Sequence, residues 1–309
     1  MNESLAVIDR NMSDQVKHRI AQLGMPPLAT TPGILTRRAL RECLKKRHWV
    51  CEKTDGVRML LYCDGGSVYV MDQKQHVYKV LAPERCDHFL RGPTILDGEM
   101  LLATRQYLAF DMLCCNGVGV WHRPLSQRLR ELSMEVVAPF RQDLRDALPF
   151  EIIGKHFVPL QQVGKIFDCM TRSDAGHVYN DGKRRNRTDG VIVTPEEGTG
   201  ALKWKFPDRQ TVDFKVRQPF LTNPRLICRT EAGQDISVTH GYMSDEHRRV
   251  AERTGRVEVI VECTFDEEWK VTEVRKDKSE PNTLMTFVQI MHAMLEGLTS
   301  EDIVTEATR

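Results

Sequence analysis

Residues 53–58 read KTDGVR and place Lys53 at the end of one short β-like segment, directly before a tight turn into the next. Residues 48–53 and 56–63 have the pattern of two strands joined by this turn. A lysine amine is protonated at pH 7, since its ordinary pKa is near 10.4, so a nucleophilic lysine requires burial or neighbouring cations. Gly56 lets the backbone approach a ligand, and Arg58 follows on the same strand face, where it can bind a phosphate or a sugar.

The segments around this turn predict a chain that mixes short strands with a few helices. Apolar residues at three- and four-residue steps predict helices, and alternating segments between turn residues predict strands. The predicted helices are 36–47, 124–147 (interrupted at Pro139), 163–171 and 282–298. The further predicted strands are 67–72, 76–80, 94–102, 106–113, 189–195, 201–206, 211–216, 225–230, 235–239, 256–263 and 269–274. Residues 180–187 are predicted to form a polar, basic loop.

Composition excludes several classes of protein. The 309 residues suggest about two domains, and the formal net charge of +1 argues against a protein that coats nucleic acid by bulk electrostatics. No apolar run reaches the ~18 residues that a membrane span requires, and the N-terminus lacks the pattern of a secretory signal. The nine cysteines are odd in number and form no C-x-x-C pair, so we expect mostly buried, reduced thiols in an intracellular protein without a zinc site.

Two apolar segments carry polar or aromatic side chains that need an explanation. In residues 96–100, LDGEM, two carboxylates lie inside a predicted strand. They form either a solvated hairpin or a site in which Glu99 binds a ribose hydroxyl or a metal. In residues 107–113, YLAFDML, Phe110 is either a core residue or a surface on which a purine stacks.

Two segments near the C-terminus concentrate positive charge. In residues 202–205, LKWK, strand alternation puts Lys203 and Lys205 on one face, where they repel each other unless an anion lies between them. Residues 269–278, WKVTEVRKDK, form either a charged strand end before a helix or part of a phosphate site.

Taken in order, these motifs resemble those of the covalent nucleotidyltransferases, the superfamily of mRNA capping guanylyltransferases and ATP-dependent DNA and RNA ligases. The motifs are EKTDGxR, DGE, FD, TDGVI, LKWK with TVDF, and WKxxExRxDKxxPN, and they extend over most of the chain. The capping enzymes are the more similar group, because ligases usually have Glu-Gly where this chain has Asp189 and Gly190. The resemblance implies an α+β fold, with a nucleotidyltransferase domain of antiparallel sheets at 1–213 and an OB-fold domain with a C-terminal helix at 214–309.

The resemblance also implies a role for each matching residue. Lys53 would attack the α-phosphate of GTP and become lysyl-GMP, and the GMP would pass to the 5′-diphosphate end of RNA to make the GpppN cap. Asp189 would position Mg²⁺ or Mn²⁺, directly or through water. The other implied GTP contacts are Arg58 and Glu99 to the ribose, Phe110 and Lys165 to guanine, Lys203 and Lys205 to the α-phosphate with support from Asp213, and Arg275, Asp277 and Lys278 to the β- and γ-phosphates.

The family pattern has two departures, a short spacer between Asp189 and Lys203 and the residue at position 73, and it implies further partners. Gln73 stands where many capping enzymes have an arginine that braces the ribose site. No stretch resembles a triphosphatase or methyltransferase domain, so we expect these steps on other chains or on parts of a longer protein. The implied partners are an RNA triphosphatase, a cap methyltransferase or the tail of RNA polymerase II. The implied location is the nucleus, with the cytoplasm as the alternative for a viral or parasite enzyme.

Two other functions fit the same motifs. The chain could be an ATP-dependent polynucleotide ligase, or a catalytically silent module that binds RNA or a partner protein. Residues 183–187, KRRNR, could guide an RNA 5′ end, although a solvated loop is an equal interpretation.

Overall fold

The computed structural model describes residues 5–24, 31–81, 92–143, 148–174 and 176–309. The chain forms two compact units: unit 1 comprises residues 1–33 and 43–202, and unit 2 comprises residues 34–42 and 203–309. This division differs from the predicted boundary after residue 213, which falls inside the strand Val212–Val216. The backbone hydrogen bonds of that strand join it to unit 2.

Strands outnumber helices along the chain. The strands are Leu5–Val7 (β1), Gly33–Ile34 (β2), His48–Thr54 (β3), Val57–Asp64 (β4), Ser67–Asp72 (β5), Val77–Val80 (β6), Thr94–Leu101 (β7), Gln106–Cys115 (β8), Val118–Gly119 (β9), Glu151–Gly154 (β10), Val158–Pro159 (β11), Met170–Ser173 (β12), Gly176–Asn180 (β13), Arg185–Pro195 (β14), Leu202–Lys205 (β15), Val212–Val216 (β16), Arg225–Arg229 (β17), Asp235–Tyr242 (β18), Val259–Asp266 (β19) and Glu268–Val274 (β20). The α-helices are Arg10–Gln22 (α1), Arg37–Leu44 (α2), Leu125–Glu131 (α3), Ala138–Asp143 (α4), Gly164–Phe167 (α5), Asp245–Glu252 (α6), Leu284–Glu296 (α7) and Ser300–Ala307 (α8).

Unit 1 contains two sheets. The first has the order β1-β6-β5-β4-β7-β8-β10, with β9 also paired to β8, and only β10 runs parallel to its neighbour. Its apolar side chains alternate between two buried clusters. Leu61 and Leu96 pack with the helical side chain Val136, whereas Leu60 and Tyr62 pack against Val16 and Ile20 of α1. The second sheet contains the antiparallel path β11-β3-β14-β13-β12.

Unit 2 contains a closed barrel of five strands in the order β16-β17-β18-β20-β19. The rings of Phe214 and Trp269 meet in its core at 5.1 Å, and Phe287 of α7 packs on Phe214 at 5.7 Å. Aromatic contacts of this kind add to the stabilisation from burial. The prediction of an α+β chain whose second part is a small barrel is confirmed. The OB type of this barrel stays a prediction.

A π-helix separates α3 from α4. It covers Leu132–Val137 and ends just before Pro139. Proline has no N–H to donate and its ring clashes with the carbonyl four residues earlier, so a regular α-helix cannot continue through it. The interruption predicted at Pro139 is therefore confirmed, while residues 144–147 of the predicted helix lie outside the described residues.

Other predicted elements were wrong in extent or were missed. The helix predicted at 163–171 ends at Phe167, because Met170 already begins β12 and pairs with Tyr179 of β13. The loop predicted up to residue 187 ends earlier, since Arg185 begins β14. Helices α1, α6 and α8 were not predicted. Six of the described cysteines are buried, as expected (Cys43, Cys51, Cys63, Cys114, Cys228 and Cys263), and Cys86 lies outside the described residues.

Candidate active site

Lys53 lies near the end of β3, with its ammonium beside a carboxylate of β14. The Nζ atom donates a hydrogen bond to Asp189 Oδ2 at 3.2 Å, and the two side chains are 20% and 11% exposed. The pairing of β3 with β14 shifts between Thr188 and Gly190, so Asp189 is the extra residue of a β-bulge. A bulge changes the direction of a side chain relative to the regular ladder. In this bulge the carboxylate of Asp189 contacts Lys53, the predicted nucleophile.

The residues on either side of Asp189 hold the bulge in place. The Thr188 hydroxyl donates to the carbonyl oxygen of Lys53 at 2.8 Å. Gly190 has a φ of 149°, which residues with a side chain rarely adopt. The backbone geometry explains the Asp-Gly pair of this motif. The bulge directs the Asp189 carboxylate toward Lys53, and the residue that follows must adopt a φ that glycine tolerates.

Arg58 lies on β4 opposite Glu99 of β7. Its guanidinium donates to both oxygens of Asp97, at 3.0 and 2.6 Å. Between the two carboxylates lies Gly98, where an added Cβ would come within 2.5 Å of the Tyr107 ring. In the Asp-Gly-Glu motif, Asp97 therefore binds Arg58, and Glu99 is the acid predicted to bind the ribose. The glycine between them is required because the Tyr107 ring leaves no room for a side chain.

Glu99 and Phe110 share a neighbour that the sequence did not single out. The Lys155 ammonium donates to Glu99 Oε2 at 2.9 Å and lies 5.4 Å from the centroid of the Phe110 ring. The Arg58 guanidinium lies 5.6 Å from the same centroid. Two cations therefore contact the half-buried aromatic ring that was predicted to stack on guanine.

Lys155 belongs to a buried group that we call the Glu52 cluster, formed by Glu52, Thr54, Lys155 and Arg184. The Lys155 ammonium lies 3.5 Å from Glu52, the Arg184 guanidinium pairs with the same carboxylate, and the Thr54 hydroxyl donates to it at 2.7 Å. The side chains of Glu52, Lys155 and Arg184 are 0%, 2% and 1% exposed. Both interpretations of residues 183–187, an RNA guide or a solvated loop, are wrong for Arg184, because its guanidinium is buried against the carboxylate of Glu52.

Burial and charge act in opposite directions on the Glu52 cluster. Burial alone would raise the pKa of Glu52, but the charges of Lys155 and Arg184 outweigh it and lower the pKa. Burial alone would lower the pKa of Lys155, but Glu52 and Glu99 raise it above its ordinary value. Both groups are therefore charged at neutral pH, and Lys155 presents a permanent cation beside Glu99 and Phe110.

The other residues predicted in unit 1 lie on its surface. Lys165 is exposed on α5, and its ammonium donates to Gln162 at 2.8 Å. Within the described part of the chain, no hydrogen bond or ion pair joins Lys165 to the other residues predicted to bind the nucleoside. Gln73 is exposed in the turn between β5 and β6.

In unit 2, Lys203 and Lys205 lie on either side of a buried tryptophan. Trp204 is 4% exposed and its indole N–H donates to the Leu298 carbonyl at 2.8 Å, whereas both lysines are half-buried. The backbone of Lys203 is fixed by the N–H of Leu35, which donates to its carbonyl at 2.8 Å. The predicted alternation, with two lysines on one face of β15, agrees with this burial.

Unit 2 also brings the predicted residue Asp213 together with Arg275, Asp277 and Lys278, three predicted residues that are far from it in sequence. The Arg275 guanidinium donates to Asp213 at 3.0 Å, to Glu262 at 2.7 Å and to Asp277 at 2.7 Å, and Lys278 pairs with Asp213. We call these five residues the Arg275 cluster. The hydrogen bond between Arg275 and Asp277 raises the pKa of the arginine and lowers that of the aspartate.

The donor set for a divalent ion is small. Within the described ranges, no group of three or more His, Cys, Asp or Glu side chains could hold a metal. The Asp189 carboxylate beside Lys53 supplies oxygen, which Mg²⁺ and Mn²⁺ prefer. Mg²⁺ commonly binds through one or two carboxylates together with substrate phosphates, so a single carboxylate at this position fits an ion that arrives with a nucleotide.

Comparison with protein families matches nearly the whole chain. Residues 6–207 match the family model of the mRNA capping enzyme catalytic domain, and residues 209–304 match that of the mRNA capping enzyme C-terminal domain. No helix in the described part of the chain has both the length and the apolar character of a membrane span.

Curated relatives carry the same family name. The mRNA-capping enzyme subunit alpha of Schizosaccharomyces pombe is 27% identical, over 94% of this chain and 83% of that protein. The subunit of the same name from Yarrowia lipolytica is 26% identical, over 96% of this chain and 86% of that protein. The mRNA-capping enzyme of Caenorhabditis elegans is 25% identical, over 91% of this chain and 48% of that protein.

Solved structures give a weaker likeness. A mycobacterial DNA ligase D complexed with ATP and MES is 13% identical, with a TM-score of 0.40, over 83% of this chain and 97% of that chain. The assignment of the family therefore rests on the sequence matches, which agree with the ordered motifs and with the contacts of Lys53. This chain belongs to the mRNA capping enzyme family.

Proposed function

We propose that the protein is an mRNA guanylyltransferase that uses Lys53 as its covalent nucleophile. The observation that carries the proposal is the contact between Lys53 and Asp189 at 3.2 Å across the β3–β14 bulge. It joins the lysine of the first motif to the aspartate of the Asp-Gly motif, which are 136 positions apart in the chain. The family matches support the same function.

The proposed reaction has two steps. In the first, the unprotonated Lys53 Nζ forms a bond to the α-phosphorus of GTP, the bond to the β-phosphate oxygen breaks, and pyrophosphate leaves. As the P–N bond forms, Nζ gives up one proton to the Asp189 carboxylate, which accepts the hydrogen bond from Lys53, and Nζ regains a proton when the P–N bond breaks in the second step. In the second step, an oxygen of the RNA 5′-diphosphate takes the GMP, and the lysine amine is restored. Such transfers depend mainly on positioning and on positive charge around the phosphates.

The residues of unit 1 would bind the nucleoside. Arg58 and Glu99 would bind the ribose, and Phe110 would stack on the base. Lys155 is better placed than Lys165 to contact the base, because its ammonium lies beside both Phe110 and Glu99. As a permanent donor it would favour a purine with a carbonyl acceptor, such as guanine, over adenine.

The residues of unit 2 would bind the phosphates. Lys203 and Lys205 would contact the α-phosphate, and Arg275 and Lys278 would contact the β- and γ-phosphates, with Asp213 and Asp277 orienting these cations. Asp189 would hold Mg²⁺ or Mn²⁺, which when bound neutralises phosphate charge. Recruitment by an RNA triphosphatase, a cap methyltransferase or the polymerase tail, and a nuclear location, belong to the same proposal.

Labelling with nucleotides tests the proposal. We expect GTP labelled at the α-phosphate to make the native protein radioactive on a denaturing gel in the presence of Mg²⁺ or Mn²⁺. The Lys53→Ala variant should not label, whereas Lys79→Ala, which changes an exposed strand lysine of unit 1, should label as the native protein does.

ATP in a parallel reaction distinguishes the alternatives. Labelling by ATP and not by GTP would overturn the proposal in favour of a polynucleotide ligase. Binding of GTP without a covalent adduct would overturn it in favour of a catalytically silent module.

A further inference from the structure

We infer that unit 2 carries a binding site for single-stranded RNA in a pocket on its barrel, where it would contact the nucleotides that follow the 5′ end. The inference rests on the proposed function, because that function requires an RNA acceptor. The pocket has a volume of about 310 Å³. It is lined by Val250 near the end of α6, by the segment after α6, by the start of β19 and by the end of β20.

The inner wall of the pocket is apolar. Val259, Ile260 and Val274 line it and are 4%, 5% and 6% exposed as whole residues. Valine and isoleucine side chains cannot form hydrogen bonds, so this wall would contact a ribose or the face of a base without selecting a sequence. The volume lies at the lower end of the range of about 300–1,000 Å³ for small-molecule sites, which suits a group the size of one nucleotide.

The rim of the pocket is cationic. Arg253, Arg256 and Lys276 line it and are exposed, and within the part of the chain that the structure describes none of the three forms an ion pair. Arg275 also lines the pocket, but its guanidinium contacts the carboxylates of Asp213, Glu262 and Asp277. The rim therefore carries three exposed cations that have no carboxylate partner among the described residues and are available to pair with phosphates.

An apolar wall beside unpaired cations fits a nucleotide within a chain better than a free phosphate. The wall would contact the sugar and base while the rim binds the phosphates on either side. The net charge of +1 gives the protein little overall attraction for RNA, so a local cationic site is required if the acceptor is to be held. Arg275 extends from this pocket into the cluster predicted to bind the β- and γ-phosphates, which places RNA and triphosphate contacts on the same unit.

Salt dependence of RNA binding tests the inference without relying on catalysis. The probe is a fluorescent ten-nucleotide RNA with a 5′-diphosphate, and its affinity is measured by anisotropy over a range of salt concentrations. The variant is Arg253→Ser with Arg256→Ser, which leaves Lys276 in place because it adjoins Arg275. Each lost phosphate contact lowers the slope of log affinity against log salt by about 0.7 for a single strand, so we expect a slope smaller by about 1.4. The control is Arg225→Ser, an exposed arginine of β17 that does not line the pocket.

The outcomes separate this inference from the proposed function. It is supported if the double variant binds RNA more weakly with the smaller slope, labels with GTP as the native protein does, and transfers GMP to RNA more slowly at low RNA concentration. Unchanged affinity and slope in a variant with the native melting temperature would overturn it, including in favour of a surface for an acidic peptide. Loss of self-labelling with unchanged RNA affinity would also overturn it, since the pocket would then serve GTP. If the native protein does not label at all, the proposed function fails, whereas the anisotropy result still decides the RNA site.

Discussion

The Glu52 cluster of unit 1 and the Arg275 cluster of unit 2 pair similar charged groups in different surroundings. Glu52, Lys155 and Arg184 are at most 2% exposed, so each charge depends on the others for compensation. In the Arg275 cluster, Arg275, Lys278 and Asp277 are 18%, 37% and 62% exposed. Water reaches this second cluster, so its cations can exchange a carboxylate for a phosphate at little cost. The first cluster is suited to a fixed framework, and the second to contacts that change with the ligand.

The largest difference should appear when one acid is removed from each cluster. We expect Glu52→Gln to lower the free energy of unfolding by about 3–5 kcal/mol, because it leaves buried cations without compensation. The matched variant Glu262→Gln should cost about 1 kcal/mol or less, since its partner Arg275 keeps two other carboxylates and solvent screens the charge. Urea unfolding followed by circular dichroism measures both. Equal losses would show that burial does not distinguish the clusters.

The order of the two clusters should reverse when the rate of GMP-adduct formation is measured instead of stability. Arg275→Ala should slow formation of the GMP adduct by about 10²–10³-fold, the usual effect of removing one preorganised charge-stabilising donor. Its effect on the free energy of unfolding should stay below that of Glu52→Gln. The measurement is the single-turnover rate of labelling, with Arg225→Ala as the control arginine. An unchanged labelling rate would exclude Arg275 from the phosphate site.

A smaller effect is expected from pH. The pKa of Glu52 is lowered in the folded protein, so its contribution to stability is fully present above the ordinary glutamate pKa of about 4.5 and is lost as the pH falls through the folded value. The native protein should therefore lose up to about 1.4 kcal/mol per pH unit from this group in that window. The Glu52→Gln variant should lack this part of the slope. The same acid slope in both proteins would contradict the lowered pKa.

The smallest effect concerns the two lysines that compete for the guanine contact. Lys165→Ala should change the free energy of unfolding by about 0.5 kcal/mol or less, because its ammonium is exposed. It should also leave GTP affinity unchanged. Lys155→Met should weaken GTP binding, and calorimetric titration with GTP measures both. Weaker GTP binding in Lys165→Ala alone would restore the original assignment.

The local pattern of apolar and turn residues was sufficient to predict most of the strands. Segments such as β4 and β5 alternate around tight turns and were predicted within one or two residues. Helix α1 was missed because only Val16 and Ile20 are buried in its 13 residues, which leaves a weak periodic signal. Helix α8 was missed although Thr299 and Asp302 form a capping box that the sequence displays.

The site residues that belong to a sequence motif were predicted. The site residues that belong to no motif, and that meet only because distant parts of the chain come together, were missed. Lys53 and Asp189 were identified by motifs, but the bulge that joins them depends on the pairing of β3 with β14. Lys155 and Arg184 have no motif. One signal for them was available, since Glu52 shares a strand face with the buried residues Val50 and Thr54, and an acid on a buried face requires a cation.

The bulge at Asp189 has a consequence for how this strand can vary in length during evolution. Before it, the even-numbered residues Asn186 and Thr188 are buried, and after it the odd-numbered residues Val191 and Val193 are buried. Deleting Asp189 itself would restore a regular ladder and leave the buried residues on their present face, but it would remove the carboxylate beside Lys53. A single insertion or deletion elsewhere in β14 would instead turn part of its buried side chains outward. Single insertions or deletions within β14 should therefore be purged by selection, and length variation should collect in the turns on either side.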